Sequence, residues 1–293
     1  RFRELRTGKV ADYIPELART DPDNFAIAVV TVTGQVFEVG DHDHEFTIQS
    51  MSKPLIYGLA LDRMGRKCVH SKVSVEPTGE AFNSIIELEE DHLPYNPMIN
   101  SGAIAMSALL HHADRDNAKA QIMEMFGAYL GREAEVHREV RESELDASHR
   151  NRAIAHLLRH FEVIGDDIDG ALKLYAHQCA VTANTRELAM IAATLANGGV
   201  HPVTGQRAVR REHLRDILTL MFTCGMYDSS GAWAYTVGLP AKSGVSGGIL
   251  AVVPGRMGIA AYSPRLDARG HSVRAVEVFK ALSTEWGLSM FGT

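Results

Sequence analysis

The chain has 293 residues, 45% of them hydrophobic and 23% charged, enough to bury a sizeable core as one large domain or two smaller ones sharing an interface. Its net charge of -6 comes from interspersed acidic and basic residues, which argues against nucleic acid or an anionic membrane and for a small-molecule substrate. No apolar run approaches the roughly 20 residues of a membrane span, no signal-peptide pattern is visible, and Cys68, Cys179 and Cys224 form no C-x-x-C pair; a reducing, cytoplasmic setting is expected, with room for residues upstream of Arg1.

In chain order, Phe25 to Val32 is a β-rich apolar run, Thr33-Gly34 signals a turn, and alternation resumes from Gln35 to Val39, so the N-terminal region is expected to be a hairpin. Asp41-His42-Asp43-His44-Glu45 is the densest ligand-like cluster, but it precedes a strand and reads as a polar turn rather than a metal site. Phe46-Thr47-Ile48 alternates like a strand. Beyond it Leu55, Ile56, Leu59, Ala60 and Met64 recur at helical spacing.

Gln49-Ser50-Met51-Ser52-Lys53-Pro54 lies at this strand-to-helix junction. A helix starting there puts Ser50 and Lys53 on one face, where a neutral Lys53 amine can take the Ser50 hydroxyl proton. The pattern S-x-x-K occurs in serine acyl enzymes related to β-lactamases and penicillin-binding proteins. As a bare string it reads equally as an N-capping serine beside a solvated lysine.

From about 65 to 180 the pattern turns helical, with helices expected over 102–111, 118–130, 135–144, 150–161 and 169–179. A long helix from Thr185 to Ala196 stops at Asn197-Gly198-Gly199, and another is expected near 213–222. Strand-like pieces return over 234–237, 238–242, 247–253 and 257–262, the last two joined at Pro254-Gly255, before a helix over 272–283. Strands at both ends imply an α/β domain of 1–64 and 181–293, in which an antiparallel sheet gathers both hairpins, and a helical domain of 65–180, with a ligand cleft between them.

An acyl-transfer site needs oxyanion donors and a proton donor besides the nucleophile and base. Lys242-Ser243-Gly244 falls on a late strand, where β-lactamase relatives carry K-T-G, so the Val245 backbone N–H can join that of Ser50 as an oxyanion hole. Alone, Lys-Ser-Gly is a turn. The S-D-N element of the β-lactamase pattern is absent; Tyr175 or Tyr227 can fill its role, or each is a core tyrosine with a satisfied hydroxyl.

Seven blocks in order carry a more specific likeness: Gly8–Pro15, Gln49–Pro54, Glu76–Gly79, Asn96–Ile104, Ala193–Gly199, Cys224–Asp228 and Leu239–Gly248. On these residues the chain resembles the serine-dependent glutaminases of the β-lactamase/transpeptidase-like superfamily over nearly its whole length. The resemblance implies an α/β (α+β) fold with an antiparallel sheet flanked by helices plus a helical lobe, and hydrolysis of L-glutamine to L-glutamate and ammonia. It implies Ser50 as nucleophile, Lys53 as base, Tyr227 assisting proton transfer and Val245 at the oxyanion. It further implies a glutamine-binding set of Tyr13, Gln49, Asn100, Glu144, Asn151, Tyr175, Tyr227 and Val245, no cofactor or metal, and a homo-oligomer, dimer or tetramer.

Chemistry alone is consistent with that set, because glutamine's α-ammonium calls for a carboxylate such as Glu144 and its α-carboxylate for donors such as Asn100, Asn151 and Tyr175. Asn100 also reads as the cap of the helix expected from Gly102, and Glu144 as a solvated helix face. Two rival readings stand beside the glutaminase one. A β-lactamase-type enzyme would be revealed by turnover of a chromogenic cephalosporin, and a binding module by binding of glutamine without ammonia release.

Overall fold

A computed structural model describes residues 1–80, 83–85, 88 and 92–292. The remaining positions of the expected helical region, 81–82, 86–87 and 89–91, lie outside the described residues.

Five strands form one antiparallel sheet. The N-terminal hairpin supplies β1 (Ala26–Thr31) and β2 (Val36–Gly40), in register from Ala26 opposite Gly40 to Val30 opposite Val36. A two-residue strand, β3 (Phe46–Thr47), leaves this sheet and pairs instead with β4 (Thr182–Ala183). The C-terminal part supplies β5 (Ala241–Ser243), β6 (Gly248–Val253) and β7 (Met257–Tyr262), and the spatial order is β2-β1-β7-β6-β5. The chain ends therefore meet in the sheet as the two expected hairpins, with β1 pairing directly to β7.

Ten helices of at least seven residues are present among the described residues: α1 (Lys53–His70), α2 (Asn100–Ala113), α3 (Ala118–Leu130), α4 (Arg138–Asp146), α5 (His149–His160), α6 (Ile168–Cys179), α7 (Thr185–Ala196), α8 (Leu214–Cys224), α9 (Ser230–Thr236) and α10 (Val273–Trp286). No helix among the described residues is long and apolar enough to cross a membrane.

α7 and α10 flank the sheet, α7 against β1, β6 and β7 and α10 against β6 and β7. α7 lies so close that a Cβ on Gly258 would meet the Ala193 backbone nitrogen at 2.1 Å, which is why alanines line that contact. Its start is fixed by a capping box, with Asn184 accepting from the Glu187 N–H and Glu187 accepting from the Asn184 N–H. Its stop uses Gly198 and Gly199 at φ +70° and +80°, a conformation that favours glycine.

One apolar core runs from this face of the sheet through α1, α2, α3, α6 and α7. A second, with Trp233, Leu239, Ile249 and Phe279, fills the opposite face beneath α10.

Three expectations need correction. The strand expected over 238–242 begins only at Ala241, beyond Gly238 at φ +70°. Residues 234–237 are not a strand: Ser230–Thr236 is a helix, because Trp233 turns inward, its indole N–H donating to the Leu239 carbonyl at 2.9 Å, while Tyr235 stays 92% exposed. The helix expected from 135 begins at Arg138 instead, capped by the His137 ring, because the Glu135 carbonyl is taken by the Thr182 N–H. The 41–45 run is the expected turn, where Asp41 accepts from the Phe25 N–H and Asp43 from Arg186.

Candidate active site

The chain enters the site through a single 3-10 turn, Gln49–Ser52, which passes directly into α1 at Lys53. Residues three apart eclipse one another in a 3-10 turn, so Ser50 and Lys53 stack on one side of the backbone, with the Lys53 N–H donating to the Ser50 carbonyl. Neither Ser50 nor Lys53 is a solvated cap. Ser50 is 7% exposed, Lys53 is 1% exposed, and the Ser52 side chain rather than that of Ser50 closes the turn by donating to the Gln49 carbonyl at 2.8 Å.

Gln49 holds φ at +49°, and Tyr227, across the site, holds +51°. Left-handed backbone at bulky non-glycine residues stores roughly 1–3 kcal/mol each and persists where the surroundings fix it. Here it turns the Ser50 side chain toward a cavity of about 240 Å³ lined also by Tyr13, Gln49, Asn100, Glu144, Asn151, Tyr175 and Val245. Every expected substrate-binding residue except Tyr227 therefore borders one cavity, and Tyr227 reaches it through a hydrogen bond between its phenol and Ser50. Burial holds the Tyr227 phenol well above its ordinary range, and the Ser50 contact draws it back only in part.

Lys53 is pushed down from 10.5 to about 8 by burial, opposed by the nearby Glu144 carboxylate, which favours its cation. Its Nζ donates to Asn100 Oδ1 at 2.7 Å. Asn100 is the hub of a small network: the same oxygen accepts from the Tyr175 hydroxyl at 3.3 Å, and its Nδ2 donates to Asn151 Oδ1 at 2.9 Å. Asn100 is thus the first residue of α2 rather than its cap, which is Ile99, and its side chain is spent on the site.

Glu144 comes from α4, only 8% exposed and not on a solvated face. Burial raises its carboxyl from 4.5 to about 7, opposed by the Lys53 charge and by hydrogen bonds with Cys179 and Gln49. Its Oε2 has no hydrogen-bond partner among the described residues. A buried carboxylate oxygen without a donor costs several kcal/mol unless a ligand supplies one.

The strand β5 forms the opposite wall. A Cβ on Gly244, just past β5, would meet the Ile48 carbonyl at 2.9 Å, so glycine there lets the chain lie against the turn that carries Ser50. Neither the Ser50 nor the Val245 N–H donates to an acceptor among the described residues. Lys242 is fully buried and held well below its ordinary value by burial; its Nζ donates to the carbonyls of Gly225 and Ser243, both at 2.9 Å, and lies 3.8 Å from the Tyr227 ring centroid. Behind the ring stands His271, kept near 4 by burial and joined to Ser243 Oγ at 3.0 Å.

Asn83, Ser148 and Arg150 also border the cavity and were not anticipated. The last two flank Asn151 within one turn, a signal the sequence did carry; Asn83 is brought in by Arg150, whose Nε donates to its carbonyl at 2.9 Å. No group of three or more His, Cys, Asp or Glu residues suited to a metal occurs among the described residues.

Residues 8–291 match the model of a protein family described as Glutaminase. The chain is 54% identical over 291 residues to a glutaminase of Trichormus variabilis, covering 99% of this chain and 87% of that protein. It is 46% identical to a glutaminase of Corynebacterium glutamicum, covering 99% and 71%. Among solved structures it superposes on one recorded as a probable glutaminase, ybaS, with a TM-score of 0.95 at 41% identity, covering 99% of this chain and 94% of that one. It superposes on Mglu in its glutamate form with a TM-score of 0.94 at 42% identity, covering 100% and 68%.

Proposed function

The chain belongs to the glutaminase family, its fold is of the β-lactamase-like type and its activity is that of a glutaminase, and from that premise we propose how its own residues release ammonia from glutamine. The observation that carries the reading is the unpartnered Glu144 Oε2 in the cavity that also holds Ser50. It suits the α-ammonium of a free amino acid. Asn151 and Tyr175 take the α-carboxylate, and the side-chain amide reaches Ser50.

Neutral Lys53, held near 8 by burial, is the base that draws the proton from Ser50, relayed in part through the Tyr227 phenol. Ser50 Oγ attacks the amide carbon, and the oxyanion settles on the free N–H groups of Ser50 and Val245, an arrangement worth roughly 10²- to 10³-fold per donor. The proton returns to the departing nitrogen, ammonia leaves, and water hydrolyses the glutamyl ester to glutamate. No cofactor enters this scheme. We further propose the two-part division into a sheet domain, 1–64 with 181–293, and a helical domain, 65–180, a cytoplasmic setting and a homo-oligomeric state.

The acyl-serine step is tested by adding hydroxylamine, which intercepts an ester in competition with water. The scheme requires γ-glutamyl hydroxamate to form at the expense of glutamate. Hydrolysis unaffected by hydroxylamine, with no hydroxamate, would overturn it.

A further inference from the structure

A second cavity, of about 420 Å³, lies on the other side of the helices that carry the substrate pocket. On α4, Glu144 borders the first cavity and its neighbour Leu145 borders the second; on α6, Tyr175 borders the first and His177 the second. Arg115, Lys119, Arg141 and Lys173 ring the second cavity. Arg115 is paired with Asp167 and Arg141 with Glu142, while Lys119 and Lys173 have no ion pair among the described residues. Between these cations the wall is apolar, built from Ala118, Leu145 and Leu174.

The deepest polar group is His177. It is 5% exposed, and its Nε2 has no hydrogen-bond partner among the described residues. Burial first, and then the charges of Lys119 and Arg141, push it down to about 4, so it is a neutral imidazole in a ring of cations. An orphaned polar atom nine-tenths buried beneath unpaired ammonium groups is the complement of an anion. The apolar wall gives that anion a hydrocarbon body rather than a bare phosphate.

We propose that this cavity binds an organic carboxylate, its head group on Lys119, Lys173 and His177 and its apolar body against Leu145 and Leu174, and that binding there tightens the glutamine site. The coupling is mechanical: a ligand gripping Lys173 and His177 on α6 and Leu145 on α4 fixes the two helices that present Tyr175 and Glu144. Lys119 and Lys173 are exposed and take no part in the reaction.

Hexanoate is the probe, with inorganic phosphate and hexanol as the arms that lack one half of the ligand. Calorimetry should show saturable hexanoate binding, both controls about tenfold weaker or worse, and the Lys119→Gln/Lys173→Gln double variant weakened about tenfold. Hexanoate should move the His177 ring resonances in NMR and lower KM for glutamine roughly fivefold in the parent, but not in the double variant, whose basal kcat stays that of the parent. Absence of binding, equal binding of phosphate, or unchanged binding by the double variant would overturn the site. A KM that stays constant or rises would overturn the coupling. The binding arms need no turnover, so they stand or fall apart from the glutaminase scheme.

Discussion

The pH dependence of kcat/KM follows from the burial of two groups. The productive free enzyme carries neutral Lys53 and ionised Glu144, and burial places these near 8 and near 7 respectively. At pH 8 about half of Lys53 is neutral and about nine-tenths of Glu144 ionised, whereas at pH 6 the fractions are about one in a hundred and about one in eleven. Their products differ by roughly 500-fold, so kcat/KM should climb by that factor between pH 6 and pH 8, with a log–log slope approaching two at the acid end. Initial rates of ammonia release at subsaturating glutamine and constant ionic strength give the profile, with circular dichroism confirming that the fold persists. Replacing Glu144 with Gln removes one of the two protons and should reduce the limiting slope to one. A change below about tenfold over that range, or a rate that falls as pH rises, would refute the assignment of neutral Lys53 as base.

Glu144→Gln should also expose a conflict between function and stability. A carboxyl raised from 4.5 to about 7 binds a proton in the folded state that the unfolded chain has released, so its stabilising contribution is complete below 4.5 and lost as pH rises through 7. At pH 8 the variant should therefore be more stable than the parent by about 1–3 kcal/mol, part of the gain being offset by the lost attraction to Lys53, while kcat/KM falls roughly 10²-fold; equal denaturation midpoints at pH 8 would contradict this. Gly225→Ala should be damaging at a distance: its Cβ would lie 1.8 Å from the Ala241 carbonyl and 2.4 Å from that of Met221, displacing β5 and the Lys242 contact to the Gly225 carbonyl. A loss of about 1–3 kcal/mol in urea denaturation is expected together with a lower kcat, and a variant equal to the parent in both would show the strand packing to be misread. Asparagine, one methylene shorter, should be hydrolysed with kcat/KM about 10- to 200-fold below glutamine, and parity in side-by-side assays would remove the proposed distance between Glu144 and Ser50.

What the sequence revealed was local chemistry and strong periodicity. The shared side of Ser50 and Lys53 was legible because their spacing repeats within a turn, α7 because its apolar-periodic run ends at Asn197-Gly198-Gly199, and the β6–β7 hairpin because Pro254-Gly255 separates two apolar strands. Ser230–Thr236 was misread because two turns of helix are too short to establish a period, so Ala-Trp-Ala-Tyr-Thr-Val passes for alternation until Trp233 is seen to bury. Asn100 illustrates a different limit. Its place at a helix start invites the reading of a cap, and only the meeting of α1, α2, α5 and α6 shows its amide bridging Lys53, Tyr175 and Asn151. Likewise the buried state of Glu144, the contact of Lys242 with the Tyr227 ring and the isolation of His177 arise from packing between segments far apart in the chain. Residue types and spacing suggest which chemistry is possible; desolvation, which sets the charge state of each group, exists only once distant segments pack around them.

The proposed acyl-serine scheme rests on the Ser50 hydroxyl, which Ser50→Ala removes. The substitution removes one buried hydroxyl from a rigid turn, so the variant should fold with the parent's far-ultraviolet spectrum. Ammonia release from saturating glutamine should then drop by about 10³-fold or more. A folded Ser50→Ala protein that retains activity within about tenfold of the parent would contradict the acyl-serine mechanism.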